Sequence, residues 1–400
     1  MYQRSFTFDS LTKIKYGIGI AETIGDEAKR FAPRKVLVVT DKGIIMAGLL
    51  DKIMESLKRS EAETLVFDQV EPNPKDETVE KEAAFLSNDK VDLIVAVGGG
   101  SSMDTAKAIG LLATNGGSIC SYSGVDKVQK PSLPVITIPT TAGTGSEISP
   151  WLVIDDTSKM PPTKESIGSR LVSPCVSLVD PLMTVRLPPS LTAGIGIDAL
   201  TNAIEAYTCT VASPFTDALS LYSIELVSRN LSKAFANGDN LEARGNMMVA
   251  SLMAGVAFFN ADVAGVHCMA EAIGGLYNTP HGVSCAVFLP CVMEQNLIAN
   301  EERYADIARA MGENITGLSI REAALRSLEA VKRLLKDIAI PSPQQLGVRE
   351  ADIPQLAEMA VANISAASNP RKLTKEDYVE LFERAMKEGL TNTSAVEQSS

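Results

Sequence analysis

Residues 91–104, VDLIVAVGGGSSMD, contain the pattern that most strongly determines the predicted fold. The continuous apolar run Val91–Val97 is typical of a strand buried on both faces, and three glycines end it. Residues Ser101 to Asp104 then open a segment with a helical pattern. A buried strand, a glycine turn and a helix form the repeating unit of a parallel α/β sheet.

The alternation of strand and helix continues on both sides of this unit. Strands are predicted at 35–40, 63–67, 134–138, 151–154 and 175–179, and helices at 43–58, 75–88 and from residue 101. After a proline-rich segment at 181–190, long helical windows follow at 198–209, 215–235, 241–259, 302–310, 320–337 and 375–389. The sequence therefore predicts a parallel-sheet α/β domain at 1–186 and an all-α domain at 187–400, with a loose tail over the last ten residues.

The composition excludes several classes of partner. A net charge of −12 repels phosphate backbones and anionic lipid surfaces, and no Lys/Arg-rich run opposes that repulsion. The N-terminal residues lack the layout of a signal peptide, and the best apolar run is too short to span a bilayer. The six cysteines are scattered without a C-x-x-C pair, which argues against a disulfide framework. We therefore expect a cytoplasmic protein that binds neither nucleic acid nor membranes.

Two glycine-containing loops are candidates for binding a phosphate-bearing ligand. Glycines 98–100 precede a helix, whose first N–H groups attract anions; alternatively, Ser101 only caps that helix and Asp104 completes a capping box. The second loop, PTTAGTGSE at 139–147, also follows a strand, although hydroxyl-rich turns also occur as plain connectors. Asp41 ends a third strand, where it could bind an adenosine ribose and repel a 2′-phosphate, or simply cap a helix.

The two histidines of the chain, His267 and His281, lie within fifteen residues of each other. His267 and Glu271 share a helix face, as do Asp198 and Asn202, because each pair is four residues apart. His281 follows Pro280 in a predicted turn. Two imidazoles and a carboxylate are usual ligands of zinc or ferrous iron. The alternative is a buried histidine satisfied by a backbone carbonyl, with the aspartate capping a helix.

Six motifs, in order, resemble those of the iron-containing (group III) alcohol dehydrogenases. They are VTD at 39–41, PNP at 72–74, GGGSSMDTAK at 98–107, PTTAGTGSE at 139–147, GIDAL at 196–200 and PHG at 280–282. The resemblance implies a Rossmann-like first domain that binds NAD and a helical second domain that carries the metal, in a homodimer or a larger homo-oligomer. The cofactor-binding residues that we predict are Asp41, Asn73, Gly99, Gly100, Ser101, Asp104, Thr140, Thr141, Thr144, Ser146 and Lys164.

By the resemblance, Asp198, His267 and His281 fall on three of the family's metal-ligand positions, whereas the fourth, Asn202, does not match. We predict metal ligands at Asp198, Asn202, His267 and His281. The catalytic candidates are His267, Glu271 and His281. The family commonly has histidine at the positions of Asn202 and Glu271. An amide oxygen is a weaker ligand than imidazole, so a three-ligand site, like that of the related zinc-dependent glycerol dehydrogenases, is an alternative. Glu271 could act as a ligand, as an acid/base group or only as a balancing charge.

The implied function is metal-dependent hydride transfer between NAD(H) and a small alcohol or aldehyde, with Fe²⁺ or alternatively Zn²⁺ in the site. Two alternatives remain. One is a metal-dependent cyclase or lyase similar to dehydroquinate synthase. The other is a metal-free family member with altered or lost catalysis.

Overall fold

The computed structural model describes residues 5–86 and 90–393, which form two compact units. The first unit comprises Ser10–Leu187 and Gly238–Met248, and the second comprises the rest of the described chain. The proposed domain division after residue 186 stays a prediction. The unit boundaries differ from it by assigning residues 5–9 to the second unit and Leu187 and 238–248 to the first.

The first unit contains a six-stranded sheet and a separate three-stranded sheet. Its strands and α-helices are β1 (Lys13–Tyr16), α1 (Ile24–Lys29), β2 (Lys35–Val39), α2 (Lys42–Met46), α3 (Asp51–Leu57), β3 (Glu63–Phe67), α4 (Asp76–Leu86), β4 (Leu93–Gly98), α5 (Gly100–Asn115), β5 (Gly124–Val125), β6 (Val135–Pro139), β7 (Trp151–Asp156), β8 (Thr163–Gly168) and β9 (Val176–Val179). The larger sheet has the order β1-β9-β6-β4-β2-β3, and all its pairings are parallel. The predicted parallel α/β sheet is therefore confirmed.

Strand β4 lies inside this sheet, and all its residues are buried. Ile94 and Ala96 pack into one hydrophobic cluster, whereas Leu93, Val95 and Val97 pack into another. Side chains alternate between the two faces of a strand, so a strand covered on both faces must be apolar at every position. This requirement explains the uninterrupted apolar run in the sequence.

Several element predictions for the first unit are wrong in detail. The predicted helix at 43–58 is two helices, α2 and α3, separated at Gly48, whose φ of +69° interrupts the helix. The strand predicted at 151–154 belongs to the small sheet, where β7 pairs antiparallel with β8. Strands β1, β5 and β8 were not predicted. The sequence TKESIG of β8 lacks apolar alternation. The predicted end of the helix at 75–88 lies outside the described residues.

The remaining helices are α6 (Pro189–Thr208), α7 (Pro214–Ala236), α8 (Leu241–Asn260), α9 (Gly265–Tyr277), α10 (His281–Leu297), α11 (Glu301–Ala310), α12 (Ile320–Asp337), α13 (Ile353–Ala362) and α14 (Lys375–Thr393). The described residues after β9 contain no strand, which confirms the predicted helical second half. Helix α6 begins at Pro189 and not at Asp198, because a proline suits the first position of a helix.

Two further predictions for the second half need correction. His281 is not in a turn but is the first residue of the 17-residue helix α10, with Pro280 at its N-cap. The prediction of a loose tail at 391–400 is wrong for residues 391–393, which continue α14. Residues 394–400 lie outside the described chain.

Among the described helices, none alone has both the length and the apolarity to cross a membrane. The successive helices α8 and α9 meet these criteria only as a pair, and they are bent by 100° at their junction.

Helices α6 and α10 approach closely at two glycines. A methyl group at Gly282 would lie 2.4 Å from the carbonyl oxygen of Gly194 and 3.2 Å from the Cβ atom of Asp198. Only glycine at 282 permits this separation, because a backbone carbonyl cannot move aside as a flexible side chain can. The contact brings the first turn of α10 against the turn of α6 that carries Asp198.

We predict that Gly282→Ala destabilises the protein by about 1–3 kcal/mol, because the added methyl group overlaps the α6 backbone. The thermal unfolding midpoint should fall by several degrees. Gly17→Ala is a suitable control, since a methyl group there would have no atom within 4 Å. Equal midpoints for the Gly282→Ala variant and the parent chain would contradict the proposed packing.

Candidate metal centre and nucleotide loops

Three helices bring four potential metal ligands together. Asp198 of α6, His267 of α9 and both His281 and Cys285 of α10 each offer one ligand atom, and these four atoms lie within 4.8 Å of one another. The Oδ1 atom of Asp198 is 3.8 Å from Nε2 of His267 and 3.6 Å from Nε2 of His281. The structure therefore places the three main predicted ligands around one point.

The Oδ1 atom of Asp198 is buried, and no hydrogen-bond donor within the described residues reaches it. Burial raises the pKa of this carboxyl to about 6. A buried carboxylate oxygen without a donor is unfavourable, whereas a cation facing it would compensate its charge. Together with two imidazole nitrogens, this oxygen forms a donor set that fits a divalent zinc or iron ion.

The carboxylate of Glu205 orients His267. Its Oε2 atom accepts a hydrogen bond from Nδ1 of His267 over 2.6 Å and another from the backbone N–H of Ala264 over 2.8 Å. Its Oε1 atom accepts from the N–H of Val266 over 2.6 Å. Because a carboxylate only accepts, the proton of His267 lies on Nδ1, which leaves Nε2 free to bind a metal.

These contacts contradict the alternative interpretation of the metal residues. His267 is satisfied by a carboxylate and not by a backbone carbonyl. Asp198 lies in the interior of α6 and does not cap a helix.

In the first unit, the two candidate loops lie side by side. Strands β4 and β6 are neighbours, with Gly98 paired to Pro139, so both loops leave the sheet at its carboxyl edge. The N–H of Thr140 donates to the carbonyl of Gly98 over 2.9 Å. Methyl groups at Gly99 and Gly100 would lie 3.1 Å and 3.0 Å from the γ-methyl groups of Thr141 and Thr144, respectively. The structure therefore brings five predicted cofactor residues together.

The start of α5 differs from the capping-box alternative. Gly99 is the N-cap and provides no side chain, and Ser101 lies within the first turn. The hydroxyl of Thr141 is buried and has no hydrogen-bond partner among the described residues. The half-buried N-terminus of α5 and this hydroxyl suit an anionic, polar ligand.

Asp104 and Ser146 belong to a buried network around Lys107. The Oδ1 atom of Asp104 accepts from the Ser146 hydroxyl, and its Oδ2 atom accepts from the N–H of Val153. The ammonium of Lys107 donates to the Ser146 hydroxyl and to the carbonyl of Trp151, each over 2.7 Å. The network ties α5 to the second loop and to β7. Direct cofactor contact by Asp104 and Ser146 stays a prediction.

The other predicted cofactor residues lie at two places in the first unit. Asp41 follows β2, the strand beside β4, and its Oδ1 atom caps α2 by accepting from the N–H of Ile44 over 3.0 Å. Lys164 of β8 donates to the side-chain oxygens of Asn73 and Asp155, each over 3.0 Å. One oxygen of Asp41 is thus used to cap α2, and the other oxygen of Asp41 lies 3.5 Å from the hydroxyl of Ser102.

Two family models match the chain. Residues 12–181 match the iron-containing alcohol dehydrogenases, and residues 192–386 match the C-terminal part of the Fe-containing alcohol dehydrogenase family. The chain belongs to the iron-containing alcohol dehydrogenase family. The predicted family and fold are thus confirmed, and the chain is an oxidoreductase of the alcohol dehydrogenase type.

Individual relatives of this family member cover nearly its whole length. It is 45% identical to the 1,3-propanediol dehydrogenase of Klebsiella pneumoniae over 92% of this chain and 96% of that protein. It is 41% identical to the NAD-dependent methanol dehydrogenase of Bacillus methanolicus over 92% and 97%, respectively. A crystal structure of a 1,3-propanediol oxidoreductase superposes with a TM-score of 0.92 at 44% identity, covering 96% of this chain and all of that one. None of these three relatives is named as a cyclase or a lyase.

Asn202 and Glu271 are the two positions at which the sequence analysis expects histidine in this family. Asn202 is buried on α6, one turn after Asp198. Glu271 lies one turn after His267, and its Oε2 atom accepts from the amide of Asn363 over 2.6 Å. The group of four clustered ligands does not include Glu271. Metal ligation by Asn202 and acid/base catalysis by Glu271 stay predictions.

Sequence reasoning missed three residues of the dehydrogenase. Glu205 is seven residues after Asp198, two turns along the same face of α6, and this spacing could have revealed it. Cys285 is one turn after His281, but the prediction of a turn at His281 concealed that spacing. Lys107 lies in the GGGSSMDTAK motif, although nothing in the sequence indicates that its ammonium is buried.

We predict that Glu205→Gln weakens zinc or iron binding about 10–100-fold, because the variant no longer holds His267 in the required tautomer with a charged acceptor. Competition with a chromophoric chelator measures the change. Asp262→Asn is the matched control, since Asp262 is a half-buried carboxylate that accepts from the hydroxyls of Ser365 and Ser368 and not from a histidine. Equal metal affinities for Glu205→Gln and the parent chain would refute this role.

Proposed function

We propose that the protein transfers a hydride between NAD(H) and a small alcohol or aldehyde, using a divalent ion held by Asp198, His267 and His281. The observation that carries the proposal is the buried, unpartnered Oδ1 atom of Asp198, which faces two imidazole nitrogens at 3.6 and 3.8 Å. The names of the relatives support the substrate class, since they specify propanediol and methanol.

A divalent ion in this site would polarise the substrate oxygen and lower the pKa of an alcohol. Iron is the metal in the family's name, and zinc is the alternative that the same donors accept. Asp198 compensates part of the ion's charge, and Glu205 holds His267 in the metal-binding tautomer. The side chain of His281 is 33% exposed, whereas those of the other two ligands are nearly fully buried. The substrate therefore approaches the cluster from the side of His281.

The first unit supplies the binding surface for NAD, which would accept or donate the hydride. The N–H groups of Gly100 and Ser101, at the start of α5, suit the pyrophosphate. The buried hydroxyl of Thr141 offers a further polar contact. Asp41 binds the adenosine ribose, and Asn73 and Lys164 contact the cofactor from the side of the small sheet. The name of the methanol-oxidising relative supports NAD as the cofactor.

We also propose that the protein is cytoplasmic and forms a homodimer or a larger homo-oligomer. None of the six cysteines, all of which lie in the described residues, forms a disulfide, as is usual in a reducing compartment. Strand β1 is an edge strand and exposes Ile14 and Tyr16, which supports self-association through the sheet edge.

We predict that His267→Ala and His281→Ala each abolish metal-dependent turnover while NADH binding stays largely intact, because the histidines and the nucleotide loops belong to different units. Metal content of anaerobically purified protein and NADH oxidation with a panel of short aldehydes measure the first effect, and NADH fluorescence measures the second. Full activity in either variant would refute the assignment. Metal-free parent protein without turnover would favour a family member that has lost this chemistry.

We also predict that Asp41→Asn raises the efficiency with NADPH relative to NADH about tenfold or more. The substitution removes the charge that repels a 2′-phosphate, whereas asparagine still caps α2. Steady-state kinetics with both cofactors test this. Asp51→Asn, which removes an exposed carboxylate at the start of α3, should leave the ratio unchanged. An unaltered ratio in Asp41→Asn would mean that Asp41 does not face the ribose.

A further inference from the structure

We infer that Cys285 is a fourth ligand of the metal ion and binds it as a thiolate. The inference rests on the proposed metal site and defines its donor set as two imidazoles, one carboxylate and one thiolate.

Cys285 lies close to the other three candidate ligands. It lies one turn after His281 on α10, and its Sγ atom is 3.7 Å from Nε2 of His281. This sulfur also lies within 4.8 Å of the ligand atoms of Asp198 and His267. Bonds of about 2.0–2.3 Å in a tetrahedral zinc site place neighbouring ligand atoms about 3.3–3.6 Å apart. Small side-chain movements would therefore bring all four atoms to bonding distance.

Asp198 provides an independent observation. Its Oδ1 atom is directed into the same cluster, is fully buried and has no hydrogen-bond donor within the described chain. The sulfur of Cys285 therefore lies beside an oxygen that is arranged for a cation.

Other buried cysteines have a different environment. The Sγ atom of Cys291, on the same helix, donates to the carbonyl of Phe288 over 3.1 Å, and that of Cys209 donates to the carbonyl of Ala206 over 3.5 Å. A buried free cysteine with such contacts behaves as a small hydrophobic residue with a weak S–H donor. Cys285 instead faces a titratable imidazole within the ligand cluster.

Ligation has two chemical consequences. The thiol loses its proton to solvent as the metal–sulfur bond forms, so the ion gains an anionic donor. A thiolate also increases the preference for zinc and similar borderline ions over magnesium or calcium. Substrate would then occupy a fifth coordination position, which zinc can accommodate.

The test is a titration of the metal-free protein with Co²⁺, whose bond to a thiolate produces a charge-transfer absorption band in the near ultraviolet. We expect this band to saturate at one equivalent in the parent chain. Cys285→Ser should lose the band and bind Co²⁺ at least about tenfold more weakly, with an unchanged far-ultraviolet circular dichroism spectrum. Cys291→Ser, from the same helix, should keep both the band and the affinity.

The remaining outcomes distinguish this inference from the proposed function. Binding of one Co²⁺ without the band, or with a band that persists in Cys285→Ser, would overturn ligation by Cys285 and leave the three-ligand site intact. Failure of the parent chain to bind Co²⁺ at all would overturn both the inference and the proposed metal-dependent function.

Discussion

The hydrogen bonds of Glu205 are the constraint on which the metal centre depends. Helix α9 has no side-chain cap of its own, and Glu205 of α6 instead accepts from the N–H groups of Ala264 and Val266 at its start. The same carboxylate accepts from Nδ1 of His267. One buried anion thus fixes the position of α9, compensates its positive end and sets the tautomer of a proposed metal ligand. Because one side chain has all these contacts, a change at Glu205 would alter both the position of His267 and the packing of α9 against α6.

In each unit, glycines allow two segments of the chain to pack closely together. Gly194 and Gly282 allow α10 to contact α6, so that His281 and Cys285 reach Asp198. In the other unit, Gly99 and Gly100 allow the start of α5 to pack against the threonine loop. A larger side chain at any of these positions would separate groups that must act together. In both units, the glycines therefore determine the distances between polar groups that come from different parts of the sequence.

The sequence was sufficient for features that depend on local pattern. The buried strand at 91–97 and the two loops were recognisable because a strand covered on both faces must be apolar and a tight turn needs glycine. His267 and His281 were recognisable because histidine is rare in this chain. Strand β8 was missed because its polar residues are stabilised by ion pairs such as that of Lys164 with Asp155. Glu205, Cys285 and Lys107 were missed because their roles depend on burial and on partners far away in the sequence.

The order of the ligands along the chain affects how the protein is made. Asp198 is synthesised before His267, and the two candidate ligands on α10 come last. A growing polypeptide therefore holds Asp198 without the other candidate ligands while α7 and α8 are synthesised, and it completes the set only when α10 has left the ribosome. Closing so long a loop costs conformational entropy, which a bound ion would offset in a single step. Metal supply in the cell would then affect how much newly made protein reaches its final state, as well as how fast the finished enzyme works.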